Sequence, residues 1–394
     1  MNALAKLLHP HTVTEFLESY WTKQALLIPA EETHQFADLF SWEQLNQLLN
    51  FSPLQYPTLR LAFDGKVMDA AENQRLAHWL QQGATLIVDR VHEWVPVLAA
   101  WTAALRSELG YTTQINSYAS FPHKQGFSCH YDTHDVFILQ IEGCKTWNVF
   151  SETFKFPLPD QKSVSLSPPE ESPYLNCILA PGDVLYIPRG HWHYAIAGET
   201  PSLHLTLGIH TKTGIDYLEW CLDKLRSDEN WRSSLPLPHE TARFQQHLQQ
   251  LSQSFCQEFA RPARINEYSQ YLNSLGKPVT KYSLPQQMGW GIFPQDKLTQ
   301  FSNQLFPKVQ IFELPEIDSY RITTLGKEIF LKGIPRVALE KIFQTSEFTG
   351  EDVLQWLPDF DWETELVPLL SKLVREGILL VNSQIDIRTN EKHQ

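Results

Sequence analysis

His130 and Asp132 stand two residues apart in the segment CHYDTHDVFILQIEGCKTW. On an extended strand, residues i and i+2 point to the same face. An imidazole and a carboxylate placed that way can take adjacent positions around one metal ion. A third ligand must then come from another strand. The segment PGDVLYIPRGHWHYA offers two histidines, His191 and His193, beside a turn and a strand start. Two histidines and one carboxylate on one face leave three coordination positions open, which suits non-haem Fe(II) and oxygen chemistry. A bare His-x-Asp is a weak signal. It equally suits a polar, half-exposed strand with a hydrogen-bonded histidine. Its weight comes from coincidence with strand-rich surroundings, with PGD before an apolar strand, and with PRGxxH downstream.

Those surroundings must hold the ligands rigidly. Between about 111 and 212, YTTQINSYASF, HYDTHDVFILQIEG, KTWNVF, LNCILAPGDVLYIPRG, WHYAIAG and SLHLTLGIHT are short runs rich in β-branched and aromatic residues. Gly and Pro punctuate them. This pattern predicts a closed or two-sheet antiparallel barrel of the jelly-roll kind. The Pro-broken segment 151–173 reads as an inserted loop.

Residues 1–110 read mainly as helix. TVTEFLESYWTKQALLI has near-helical apolar spacing and ends in a short apolar strand. SWEQLNQLLN begins with Ser41 and Glu43, a cap and a first-turn acid. VPVLAAWTAALRSEL reads as an amphipathic helix. After 212, GIDYLEWCLDKLRSDENW and HETARFQQHLQQLSQSFCQEFARPARINEYSQYLNSL read as two helices. Their apolar positions (Tyr217, Trp220, Leu222, Leu225; Phe244, Leu248, Leu251, Phe255, Phe259) suit packing on another helix. From about 300 to 390, strand-like VQIFEL and RITTLGKEIFL precede helix-like PRVALEKIF, TGEDVLQWL and TELVPLLSKLVREG, then ILLVN. That order resembles a winged helix. The division expected is 1–110, 111–212, 213–290 and 300–390.

Composition bounds the functions. The 394 residues suggest two or three domains. With 42% hydrophobic and 20% charged residues, disordered and fibrous classes are excluded. A net charge of −13 argues against general phosphate-backbone binding. It is compatible with a basic partner, or serves solubility alone. Five cysteines without a CxxC argue against a disulfide framework or a cysteine zinc site, and for a reducing cytosol. His9, Pro10 and His11 interrupt the short apolar start, which reads as neither signal nor transit peptide. No window reaches the ~20 apolar residues that span a bilayer.

HYDTHDVFILQIEGCKTW, APGDVLYIPRGHWHYA and SLHLTLGI together resemble the cupin-like, JmjC-type ribosomal oxygenases, and FLESYWTKQALLI resembles their N-terminal opening. The family includes bacterial ribosomal-protein arginine hydroxylases and animal nucleolar histidine hydroxylases. By motif the resemblance spans about residues 14–212; beyond that it is one of architecture. It implies an α+β protein with a double-stranded β-helix core, a helical dimerisation region and a C-terminal winged helix. It also implies an Fe(II)- and 2-oxoglutarate-dependent dioxygenase that uses O2. The implied iron ligands are His130, Asp132 and His193, with His193 at the last position of RGxxH. His134 and Asp135 are then supporting groups, and His123 and His210 surface residues. Lys145 stands where the family places the cation for the distal carboxylate of 2-oxoglutarate, a charge-assisted contact. Its odd spacing from His130 does not decide its face, because a turn at Glu142–Gly143 intervenes. Asn116, Tyr118 and Thr206 match polar positions on the cosubstrate side. His204 shares the Thr206 face, as pocket or as core. Two departures stand out: Thr146 follows Lys145 where the family often has Arg, and Asn148 stands where Arg is common.

The expected function is hydroxylation of a protein side chain, with a ribosomal protein as substrate and a homodimer as the assembly. The nearest rival is a same-fold hydroxylase of a peptide natural product or small molecule. A nucleic-acid regulator using the C-terminal module is disfavoured by five Lys/Arg against ten Asp/Glu over 336–390. A metal-free structural cupin would make the His-x-Asp…His match accidental. JmjC relatives also include lysine demethylases, but nothing in the chain resembles histone-reading equipment.

Overall fold

The computed structural model describes residues 3–31, 36–122, 124–275, 282–303, 309–314, 319–324 and 327–382. The chain divides into two units, Met1–Leu275 and Gly276–Gln394. In the first, the strands are β1 (Leu26–Ile28), β2 (Leu59–Phe63), β3 (Lys66–Val67), β4 (Thr85–Val88), β5 (Thr112–Ser120), β6 (Asp135–Glu142), β7 (Lys145–Glu152), β8 (Leu175–Leu179), β9 (Val184–Ile187), β10 (His191–Ala197) and β11 (Ser202–His210). They form a major sheet in the order β1-β9-β6-β11-β5-β4-β2-β3 and a minor sheet in the order β10-β7-β8. Every pairing within the two sheets is antiparallel.

Period-two alternation assigns each face of the major sheet. Phe137, Leu139 and Ile141 of β6, Val184 and Tyr186 of β9, and Leu203, Leu205, Leu207 and Ile209 of β11 pack into one large core with the N-terminal helices. The intervening residues face the minor sheet. There Val136, Ile138, Leu185 and Ile187 meet Trp147, Val149, Cys177 and Leu179 in a second core. A sheet buried on both faces explains why DVFILQI reads as a continuous apolar run. Gly143, at φ +67°, makes the turn between β6 and β7; a Cβ there would lie 2.0 Å from Pro201 O. The segment between β7 and β8 carries only a short 3-10 turn, Ser163–Ser165, in keeping with an inserted loop.

Two expectations need amending. Residues 1–110 hold further strands beside the expected helices: β2, β3 and β4 extend the major sheet there, next to helices such as Trp42–Phe51 and Pro96–Leu109. TLIV is too short an apolar run for periodicity to separate strand from helix. Ser41 caps as expected, its Oγ accepting from Gln44 N at 3.3 Å. The long helix after 239 is two, Thr241–Phe259 and Pro262–Ser274. Pro262 lacks an N–H and disfavours helical geometry in the residue before it, so the chain restarts there. Among the described residues no helix is long and apolar enough to cross a membrane.

The second unit holds β12 (Gln300–Asn303), β13 (Gln310–Leu314), β14 (Ser319–Thr324), β15 (Lys327–Lys332), β16 (Glu347–Thr349) and β17 (Leu379–Val381). β13, β14 and β15 form a meander, and β12 lies between β16 and β17. Helices Arg336–Gln344, Gly350–Trp356 and Val367–Arg375 complete it. Its core includes Phe301, Leu339, Ile342, Val353, Leu366 and Leu373.

Candidate metal centre and adjoining cavity

The cluster forms where two chain segments meet, not along one strand. His130 and His193 make an isolated antiparallel bridge ahead of β6. Asp132 lies in the irregular stretch between that bridge and Asp135, where β6 begins. The expectation that His130 and Asp132 ride on one continuous strand is therefore corrected. Asp132 O accepts from Gly190 N at 3.0 Å, tying this stretch to the turn before β10. One donor atom each from His130, Asp132 and His193 lies within 4.8 Å of the others.

Hydrogen bonds fix both rings. His130 Nδ1 donates to Ser128 O at 2.8 Å, and His193 Nδ1 to His191 O at 3.0 Å. Each Nε2 is left as a lone-pair donor, the usual arrangement for a metal-ligating histidine. His193 Nε2 lies 3.7 Å from Asp132 Oδ2. Burial, and then the His130 ring, lower the His193 pKa to about 4, so this imidazole is neutral at neutral pH. Burial works against ionisation of Asp132, but the imidazoles of His134, His193 and His130 outweigh it and lower its pKa.

His191 is engaged elsewhere. Its Nδ1 lies 2.8 Å from Tyr174 Oη and its Nε2 3.3 Å from Glu152 Oε2. The geometric choice left open between His191 and His193 falls on His193. His134 sits in a bend before β6, not on the strand, and stacks on His210 with ring centroids 4.5 Å apart. His210 is thus half-buried, not a surface residue; burial, then His134, lower its pKa to about 4. Asp135 is buried and accepts from Tyr186 Oη at 2.8 Å, a structural role. His123 lies outside the described residues.

Beside the cluster is a cavity of about 250 Å³ between the two sheets. Tyr118, Lys145, His204 and Thr206 line it, together with His130, Asp132 and His193. Lys145, whose face the spacing left undecided, points inward: it is 5% exposed and its Nζ donates to Ser120 Oγ at 2.9 Å. Ser120 Oγ lies 3.1 Å from Thr85 Oγ1. Among the described residues no carboxylate is in ion-pair range of this ammonium, and burial lowers its pKa to about 7. On the minor sheet Lys145 pairs with Ala197 and Val149 with His193, and the Trp147 ring lies between them, 5.9 Å from Lys145 Nζ and 6.0 Å from the His193 ring.

Asn116 shares a face with Tyr118, but its Oδ1 accepts from Arg90 N at 2.9 Å and it is not among the lining residues. His204 is pocket: it stacks on Tyr118 at 4.9 Å, and burial, then Lys145, hold its pKa well below the usual imidazole value. Sequence reasoning missed Arg60, Thr85, Ser120 and Phe127. Alternation along β5 from Tyr118 would have reached Ser120. Arg60 and Thr85 lie on strands that were read within a helical stretch. Arg60 is held side-on by Asp89, with Nη2 2.7 Å from Oδ1. Register sets Arg60 in one row with Ile87, Tyr118 and His204 across the sheet.

The donor set fits a divalent iron-type ion: two neutral imidazoles and one carboxylate, with further positions open. The cavity fits a dicarboxylate. It offers one unpaired buried cation, and His204 Nδ1 and Trp147 Nε1 are buried without partners. Gly126 keeps the Lys145 end open, since a Cβ there would lie 2.6 Å from Thr85 Oγ1.

The chain is similar to several known proteins. The family model described as the JmjC domain matches residues 95–217. A Drosophila persimilis protein named bifunctional lysine-specific demethylase and histidyl-hydroxylase NO66 is 30% identical over 221 residues, covering 52% of this chain and 31% of that protein. Ribosomal oxygenase 1 of Rattus norvegicus is 30% identical over 237 residues, covering 54% and 38%. The chain thus spans about a third of the length of these relatives. The structure of YcfD, a ribosomal oxygenase from Escherichia coli, in complex with cobalt and 2-oxoglutarate aligns with a TM-score of 0.60 at 20% identity, over 95% of this chain and 99% of that one. That likeness extends the shared fold over nearly the whole chain. The chain thus carries a JmjC domain over residues 95–217 and is similar to proteins named as ribosomal oxygenases.

Proposed function

We propose that the protein is an Fe(II)- and 2-oxoglutarate-dependent dioxygenase that hydroxylates a side chain of a protein, with a basic ribosomal protein as the favoured substrate. One observation carries the reading: a His130–Asp132–His193 cluster opens onto a cavity that also holds the buried, carboxylate-free cation Lys145. His130, Asp132 and His193 would hold the iron, and Lys145 the distal carboxylate of 2-oxoglutarate. When bound, iron with 2-oxoglutarate and O2 supplies the oxidising power for inserting one oxygen atom into a C–H bond. The chain's own residues bind, orient and exclude water. Ser120 holds Lys145 Nζ; Tyr118, Thr206 and His204 flank the cosubstrate; Trp147, Val136 and Ile138 keep that side apolar.

The JmjC match, relatives named as oxygenases and hydroxylases, and the acidic net charge of −13 support this reading. The test is incubation of iron-loaded protein with 2-oxoglutarate, O2 and ribosomal proteins. Succinate formation with one added oxygen on a ribosomal peptide supports it. Succinate without any modified ribosomal protein would favour a peptide or small-molecule substrate.

The assembly we propose is a homodimer made through residues 213–290, in the cytosol, with 300–390 as a winged-helix-like module. On helix Gly214–Leu225, Ile215, Leu218 and Leu222 form a second apolar stripe, 48%, 43% and 55% exposed. The opposite stripe, with Trp220, Cys221 and Leu225, packs on Phe259. A helix apolar on both sides supports a second packing partner.

A further inference from the structure

His193 is aimed by a device that the metal reading does not use. β10 enters the minor sheet at His191, which faces Glu152; two residues on, His193 faces Val149. Two steps along β10 thus answer three along β7, an irregularity of the kind that re-aims a side chain. At this point His191 is 4% exposed, with both ring nitrogens engaged. Tyr174 Oη accepts from Ala25 N at 2.9 Å, so its O–H is free to donate to His191 Nδ1. Nε2 then carries the proton and faces the Glu152 carboxylate. The backbone carbonyl of this pinned residue accepts from His193 Nδ1. Tyr174 closes the inserted segment between β7 and β8, and Glu152 opens it, so both ends of that segment grip one ring.

We propose that Tyr174, His191 and Glu152 form a positioning clamp: by holding the His191 ring they fix the carbonyl that orients His193, and so set the affinity and geometry of the metal site. His191 is a positioning residue here, not a ligand. The inference rests on the proposed metal centre. A group that orients a ligand through its second nitrogen typically changes metal affinity about 10–100-fold when lost. Because His191 acts through its carbonyl, the lower end is expected.

The test uses Co(II) as the probe, with calorimetry for affinity and visible absorption for geometry. His191→Phe fills the space but removes the hydrogen bond to Tyr174 and the polar contact with Glu152. It should weaken Co(II) binding about tenfold and shift the cobalt bands, whereas His191→Gln, which keeps one donor and one acceptor, should recover part of the loss. A role in packing alone predicts the opposite order, with Phe the better replacement. Should His191→Phe fail to fold by circular dichroism, Tyr174→Phe and Glu152→Gln carry the test, each expected to weaken binding measurably. Variants that match the wild type in affinity and spectrum would overturn the clamp while leaving the metal centre standing. A wild-type protein that binds no Co(II) would remove both.

Discussion

Two backbone hydrogen bonds join His130 to His193, one in each direction, at 3.1 and 2.7 Å. The bridge brings together residues far apart in sequence, and each holds its own ring through a nearby carbonyl. The cluster is therefore set by main-chain pairing before any ion arrives. That makes the ligand assignment open to simple substitution.

Asp132→Ala and His193→Ala should each abolish Fe(II) binding and 2-oxoglutarate turnover with the fold intact. Asp132 is the only anion of the cluster, and two imidazoles alone hold Fe(II) weakly. His191→Ala should retain the metal at reduced affinity. Calorimetric titration of the three variants checks this, and full loss in His191→Ala alone would move the ligand to that residue.

Lys145→Ala should spare metal binding and weaken 2-oxoglutarate strongly. A lost charged hydrogen bond costs about 1.5–3 kcal/mol. That is roughly ten- to a hundredfold in affinity. Titrating 2-oxoglutarate into metal-loaded protein measures it; an unchanged dissociation constant would leave the buried ammonium without a ligand role.

The same lysine predicts a pH dependence. In the free protein burial lowers its pKa to about 7, so the ammonium is disfavoured above that pH. A bound carboxylate favours the charged form and raises the pKa again. Affinity should therefore level off below pH 7 and decline above it, and binding at pH 8 should take up close to one proton. Calorimetry in two buffers of different ionisation enthalpy reads the uptake, which Lys145→Ala should remove. The sign for folding follows from the same shift. The unfolded chain binds more protons between about pH 7 and the ordinary lysine pKa, so the cost of burying Lys145 is relieved as pH rises through that window.

Leu218→Asp with Leu222→Asp should yield a monomer. An obligate interface would bury ~2,000 Å² or more. Light scattering at micromolar concentration should give about twice the 45.5 kDa chain mass for the wild type and the single mass for the variant. A wild-type monomer that persists on concentration would leave the exposed stripe without a partner copy.

Much of the site was legible in the residues. Alternation through β6 and β11 marked the two-faced sheet, since every second residue meets a different layer. His-x-Asp and the histidines after PRG named the donor types, because few side chains can hold such an ion. Tertiary structure decided the rest. Pairing with His193, not strand alternation, brought Asp132 into the cluster. The contacts of Tyr174 and Glu152 took His191 out of it, and those partners lie 17 and 39 residues away in sequence, beyond the reach of local spacing. The turn at Gly143 sent Lys145 inward, a choice that spacing cannot make across a turn. Arg60 and Thr85 reach the cavity only because β2 and β4 extend the major sheet, and runs that short look alike in helix and strand until a neighbouring strand takes up their backbone hydrogen bonds.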